Sequence, residues 1–256
     1  MLCPRPVVRR EVAISTEEYP EHAYHENHAA LVEQYRSEAD LLAPFVTESS
    51  RAVLDHIHAH PGFPGASDPP MLALMALLLK LMKPIRVLQI GTLIGYSAIV
   101  IADILRQNGR GALITVDPDH HSHGQAHAFC EEAGLTELIT FCTDYSTGEQ
   151  TKLVMEAAGQ MDFVYLDASH AYVPTLEELD LLLQPGGWVA DDGILLLHDA
   201  STLARDYDPT GEGGVRRAID DWLEVNPKLA HHLVLERPLW PSPPGVGLFR
   251  RRVTSS

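Results

Sequence analysis

Hydrophobic positions change their period along this chain, and the change divides it in two. From about residue 69 onward, short apolar runs alternate with stretches in which apolar residues recur every three or four positions. Such runs read as buried strands and amphipathic helices in βαβ order, which builds a parallel sheet. The predicted strands are 86–90, 112–116, 138–142, 163–166 and 194–197. Helical spacing covers 71–82, opened by Pro69 and Pro70, then the stretch after Gly95, then 174–183. It returns in Val215, Ala218, Ile219, Trp222 and Leu223. Two last strands, 232–236 and 245–250, are joined by PLWPSPPG, which is short for a crossover helix, so the final pair is predicted antiparallel. The expectation is an α/β fold with a mostly parallel seven-stranded sheet and an antiparallel last strand.

Residues 1–68 read differently. They are polar, rich in histidine and acidic residues, and end in the loop-like HPGFPGASDPP. Helical spacing occurs over 29–45 and 49–58. The reading is an N-terminal helical extension over 1–68 that covers a pocket or makes a subunit contact, followed by one main domain over 69–256. A chain of 256 residues can bury a full core in such a domain.

The apolar run Val87, Leu88, Ile90 stops at Gly91, Gly95 follows, and a helix begins at once. A buried strand, a tight glycine turn and a helix N-terminus form the device by which α/β proteins hold nucleotide-like ligands. A dinucleotide fingerprint needs a second glycine where Leu93 stands, so a close pyrophosphate is disfavoured. A G-x-x-x-G turn exposes backbone N–H groups that suit a carboxylate, and an amino-acid carboxylate joined to an adenosine describes S-adenosylmethionine.

Composition narrows the partners. A formal net charge of −16 opposes nucleic-acid binding and disfavours an anionic membrane. The three cysteines, Cys3, Cys130 and Cys142, are scattered and odd in number, which indicates a reducing compartment. The longest apolar run, 71–82, contains Lys80 and is too short to span a bilayer, for which about 20 residues are needed. Arg5, Arg9, Arg10 and Glu11 interrupt the N-terminus without an apolar core, so no secretory signal is visible and the cytoplasm is the default.

Four predicted strands end in an acid, Asp117, Asp144, Asp167 and Asp199, at the edge of the sheet where ligands of open α/β folds sit. With these residues in place, VLQIGTLIGYS, DFVYLDASHAY and GGWVADDGILLLHDAS resemble the class I S-adenosylmethionine-dependent methyltransferases, which share a Rossmann-like fold. Within them the chain is most similar to small-molecule O-methyltransferases of the catechol and caffeoyl-CoA type and to bacterial antibiotic and sugar methyltransferases. The resemblance covers about residues 66–251. It implies that Gly91, Thr92, Gly95, Tyr96 and Ser97 line the methionine end of the cofactor. Asp117 would hold the ribose, with Asp144, Tyr145 and Ser146 near adenine. Asp167 would be a magnesium ligand and neighbour of the cofactor, and His170 the general base. Gln89 departs from the acidic residue common in the first strand.

For the second metal carboxylate, Asp192 would end a strand counted on directly from Gly187, whereas Asp199 ends the apolar run 194–197, with His198 beside it as a further expected metal ligand. Four consecutive apolar residues seldom sit exposed, so Asp199 is favoured, with 188–193 as an approach loop. A carboxylate-rich set without cysteine suits magnesium rather than zinc, and a histidine titrates near working pH. The remaining histidines match no helical zinc motif: His22, His25 and His28 are spaced by three, His56, His58 and His60 by two, and His120, His121 and His123 border the expected adenosine pocket. The function expected is methyl transfer from S-adenosylmethionine to a small-molecule hydroxyl in secondary metabolism, by a homo-oligomer such as a dimer. An NAD-dependent oxidoreductase and a non-catalytic scaffold are the alternatives.

Overall fold

The computed structural model describes residues 39–59 and 66–252. Seven strands form one sheet: β1 (Arg86–Ile90), β2 (Ala112–Val116), β3 (Ile139–Cys142), β4 (Met161–Leu166), β5 (Val189–His198), β6 (Ala230–Leu235) and β7 (Val246–Arg251). Their order is β3-β2-β1-β4-β5-β7-β6. The chain runs outward from β1 through β2 to β3, then crosses back to place β4 on the other flank of β1, all in parallel. That reversal is the topological switch point, where the carboxyl ends of β1 and β4 open a crevice. Only β7 runs antiparallel, between β5 and β6.

Alternation along the central strands explains the two cores. Val87 points to one face and Leu88 and Ile90 to the other, and all three are buried. The first face is covered by α1 (Glu48–Ala59), α2 (Pro69–Met82), α3 (Tyr96–Asn108) and α4 (His120–Glu132). The second is covered by α5 (Glu149–Ala158), α6 (Tyr172–Leu183) and α7 (Gly214–Val225). Helices on both faces are why the strands read as unbroken apolar runs.

Helix α2 begins where the Asp68 side chain accepts the Met71 amide at 3.2 Å, with prolines in its first turn. It buries Met71, Leu72, Met75, Ala76 and Leu79, and leaves Leu77 and Leu81 exposed. Helix α1 docks on α3 through Asp103. This fully buried carboxylate accepts the Thr47 amide at 2.6 Å and its hydroxyl at 2.8 Å, with Arg106 at 2.5 Å. Burial of Leu42, Val53, Leu54 and Ile57 in the first core seals the contact.

Two expectations are corrected. The described part of the 29–45 stretch is not a helix: Ala39–Leu41 is a single 3-10 turn followed by irregular turns. The approach loop expected over 188–193 is instead the first half of β5. Val189 pairs with Met161 and Ile194 with Phe163, so extra residues bulge out between them. Asp191 and Asp192 are exposed in that bulge, with Asp192 at a φ of 63°.

Candidate active site

Two loops meet at the switch point. The turn after β1 folds Gly91 back at a φ of 88° and Gly95 at 85°, and Leu93 also adopts a left-handed φ of 46°, which a glycine would hold with less strain. The turn is latched from β2. One oxygen of Asp117 accepts the Thr92 and Leu93 amides, each at 2.8 Å, and the other accepts the Asp119 amide at 2.9 Å. Two amides that the sequence reading offered to a ligand carboxylate are therefore taken by Asp117. Gln89, buried in β1, donates to the Gly91 carbonyl at 2.7 Å and to Ser97 Oγ at 2.8 Å, fixing the turn against the start of α3. An amide can do this where the acid expected in the first strand cannot, because a carboxylate has no proton to donate.

The four strand-end acids divide. Asp117 serves the glycine turn. Asp144 serves α5, accepting the Gln150 amide at 3.0 Å and the Thr151 amide at 3.2 Å. Next to it, Tyr145 is exposed and Ser146 Oγ donates to Glu178 at 2.8 Å. Asp167 and Asp199, on adjacent strand ends, face one another across His198 and His170.

That second pair builds the cluster. Asp167 Oδ2 accepts the Ser67 hydroxyl at 2.6 Å and the Tyr165 hydroxyl at 2.9 Å. His198 Nδ1 lies 3.4 Å from Asp167 Oδ1 and 3.1 Å from Asp199 Oδ2, while its Nε2 meets Asp68 Oδ2 at 2.8 Å. His170 Nε2 approaches Asp199 Oδ2 at 3.1 Å. One donor atom each from Asp167, His170 and Asp199 lie within 4.8 Å of one another, a spacing that could enclose a metal ion. Asp192 is elsewhere. It pairs with Arg250 at 2.9 Å, roughly 20 Å away along β5 at the usual rise per strand residue.

Burial and charge oppose each other in this cluster. Burial resists ionisation of Asp167 and Asp199, yet the charge of His198 holds both carboxyls below their usual range. Burial likewise disfavours a charged His198, but Asp199 and Asp167 raise its pKa well above the ordinary value. For His170, burial lowers the pKa and the hydrogen bond to Asp199 more than restores it, leaving it raised. The group thus holds protons and negative charge side by side, an arrangement typical of reactive sites.

Sequence reasoning missed Ser67, Asp68 and Tyr165. Asp68 carried a local signal only as the cap ahead of Pro69-Pro70; nothing in its spacing points to His198, 130 residues on. Of the histidines, His56 pairs with exposed Glu132 at 3.3 Å and His58 packs on Tyr96. His120 and His121 open α4, and His123 Nδ1 meets Thr143 Oγ1 at 2.9 Å. His22, His25, His28 and His60 lie outside the described residues. Among the described residues no helix is long and apolar enough to cross a membrane.

The sheet order, the latched glycine turn and the acid–histidine cluster at the switch point define the class as a Rossmann-like methyltransferase. Residues 88–200 match a family profile described as a methyltransferase domain. A catechol O-methyltransferase of Niastella koreensis is 30% identical over 161 residues, covering 62% of this chain and 71% of that protein. Tricin synthase 1 of Oryza sativa subsp. japonica is 30% identical over 128 residues, 48% of this chain and only 50% of its own length. The fold superposes on an O-methyltransferase from Bacillus cereus in complex with SAH with a TM-score of 0.66 at 16% identity, covering 87% of this chain and 100% of that one. The chain belongs to the class I S-adenosylmethionine-dependent O-methyltransferases. The oxidoreductase and scaffold alternatives give way to that assignment.

Proposed function

We propose that this enzyme methylates a hydroxyl of a small molecule, with a divalent cation assisting. One observation carries the reading: the glycine turn of β1 and the Asp167–His170–Asp199 cluster share one crevice, so a methyl donor on the turn and a hydroxyl at the cluster are neighbours. Gly91, Thr92, Gly95, Tyr96 and Ser97 hold the methionine end of the donor. Asp117 retains one lone pair for a ribose hydroxyl beyond the three amides it already accepts. Ser146 and the backbone of Asp144 and Tyr145 border adenine.

The sulfonium methyl is already activated, so the protein's work is alignment and exclusion of water. His170 takes the hydroxyl proton as the acceptor oxygen bonds to the methyl carbon and the carbon–sulfur bond breaks, leaving the thioether product. Asp199, at 3.1 Å, orients the imidazole and stabilises its charge once the proton is transferred. The donor set of two carboxylates flanked by imidazoles fits a divalent cation, held by Asp167 and Asp199 with His198 beside them. A bound cation, magnesium in the sequence reading, supplies Lewis-acid stabilisation of the developing alkoxide. Ser67 and Asp68 bring the end of the N-terminal segment onto the cluster, which supports that segment as part of the acceptor pocket. Names of relatives point to phenolic acceptors, and a cytoplasmic homo-oligomer of secondary metabolism completes the reading.

The test is methyl transfer to a panel of catechols and sugars. His170→Ala should lower turnover by about 10²–10⁴-fold while S-adenosylhomocysteine affinity, measured by calorimetry, stays nearly intact. Full turnover without the imidazole would remove His170 from the chemistry.

A further inference from the structure

Glu178 stands apart from the acid–histidine cluster and carries a hydrogen-bonding capacity that the fold does not use. It lies on the buried face of α6 with Thr175 and Leu182, at the three-and-four spacing that turns one side of a helix inward. Thr175, one turn nearer the start of the helix, borders the same hollow as Asp167 and His170. Glu178 is 4% exposed, and its Oε1 accepts the hydroxyl of Ser146, in the loop after β3, at 2.8 Å. Its Oε2 is buried and meets no partner among the described residues. Burial, with the charge of Glu177 adding to it, raises the carboxyl from 4.5 to about 7. A protonated carboxyl offers one O–H donor beside an acceptor. With Oε1 taking the Ser146 hydrogen, the donor falls on Oε2, the atom without a partner. An unmatched buried polar atom destabilises a fold, and such departures concentrate where a ligand completes them.

We infer that Glu178 reads the amino-bearing edge of the cofactor's adenine, donating from Oε2 to ring nitrogen N1 and accepting the 6-amino group on Oε1, with Ser146 fixing which oxygen does which. That edge presents an acceptor and a donor side by side, the complement of a carboxyl whose proton has a fixed place. Hypoxanthine reverses both: N1 carries a hydrogen and position 6 an oxygen. To pair with it, the acid would have to move its proton to Oε1, which already takes the Ser146 hydrogen. The inference rests on the placement of Ser146 beside adenine proposed above. It makes Glu178 a specificity-determining residue and accounts for a buried acid that a leucine could replace at no cost to the core.

Calorimetric titration of the full chain at pH 6 with S-adenosylhomocysteine and with S-inosylhomocysteine tests it without reference to activity. The adenine ligand should bind about 10–100-fold more tightly than the hypoxanthine one. Glu178→Leu should erase that preference, weakening S-adenosylhomocysteine by about 10–100-fold and changing S-inosylhomocysteine by less than about threefold. Glu178→Gln keeps a donor and an acceptor on the same fork, so it should bind S-adenosylhomocysteine within about threefold of the parent. Circular dichroism checks each fold, and Glu178→Met replaces a Glu178→Leu that fails to fold. Equal affinity of the parent for the two ligands, a preference that survives Glu178→Leu, an equal loss of both ligands, or a Glu178→Gln as weak as Glu178→Leu would overturn the inference while leaving the cofactor placement standing. Absence of S-adenosylhomocysteine binding, or binding indifferent to Asp117→Ala, would overturn that placement and this inference with it.

Discussion

Gly91 and Asp167 are in backbone contact: a Cβ built on Gly91 would stand 1.9 Å from the Asp167 carbonyl oxygen and 2.8 Å from the Ala168 Cα. The glycine turn after β1, proposed above to receive the cofactor, and the strand end that carries the first acid of the cluster are therefore pressed together, with no room for a side chain between them. On the proposed function, this closeness would bring a donor on the β1 turn beside an acceptor at the end of β4. It also means that Gly91 is required by the protein before any ligand arrives.

Gly91→Ala should accordingly cost about 3 kcal/mol or more, from the positive φ together with an overlap against backbone that has no rotamer to yield. Denaturant unfolding of the ligand-free protein checks this. A variant as stable as the parent, losing only cofactor affinity, would show that the strands separate easily here.

Asp117→Ala leaves the Thr92 and Leu93 amides without their acceptor, and the carboxylate is buried. The loss should appear twice: about 1–3 kcal/mol of stability without ligand, and about 1.5–3 kcal/mol of S-adenosylhomocysteine affinity. A residue used only on the ribose would show the second effect without the first, so unfolding and calorimetry on one preparation separate the two roles.

Glu178 supplies a pH dependence away from the cluster. Burial raises its carboxyl from 4.5 to about 7 despite the hydrogen bond from Ser146, and its Oε2 has no partner. Between these two values the unfolded chain has lost this proton and the folded chain keeps it, so stability falls as pH rises from about 4.5 to 7. Glu178→Gln should add about 1–3 kcal/mol at pH 8 and little at pH 4. Thermal melts at both values test it; an equal gain at each would locate the effect in packing.

Asp199→Asn should abolish stimulation of turnover by a divalent cation, whereas Asp192→Asn should leave it unchanged, because Asp192 is exposed and paired with Arg250 on the far part of β5. The opposite result, read from activity with and without chelator, would move the cation site to the other end of the strand. Thermal stability should barely change in the Asp192 variant, since an exposed ion pair contributes at most about 1 kcal/mol.

Much of this protein was legible from local pattern. Period-two and period-3.6 spacing, with the runs 86–90 and 112–116 buried on both faces, determined the parallel strands and their helices. Gly91 and Gly95 marked the turn, because a strand that stops at glycine before a helix has few other geometries. The preference for Asp199 also followed from local chemistry, as 194–197 is too apolar to be a loop. What the tertiary structure alone decided is which groups face one another. Asp117 and Asp144 look like Asp167 and Asp199 in sequence, each an acid at a strand end. Yet the first two turn to amides of neighbouring loops and helices, while the other two converge with a pair of imidazoles. Ser67 and Asp68 reach that cluster only because α2 packs across the sheet and carries its N-terminus to the end of β5. Periodicity records how much of each residue is buried; hydrogen-bond partners 100 or more residues apart depend on the register of strands and the crossing of helices, which no local spacing encodes.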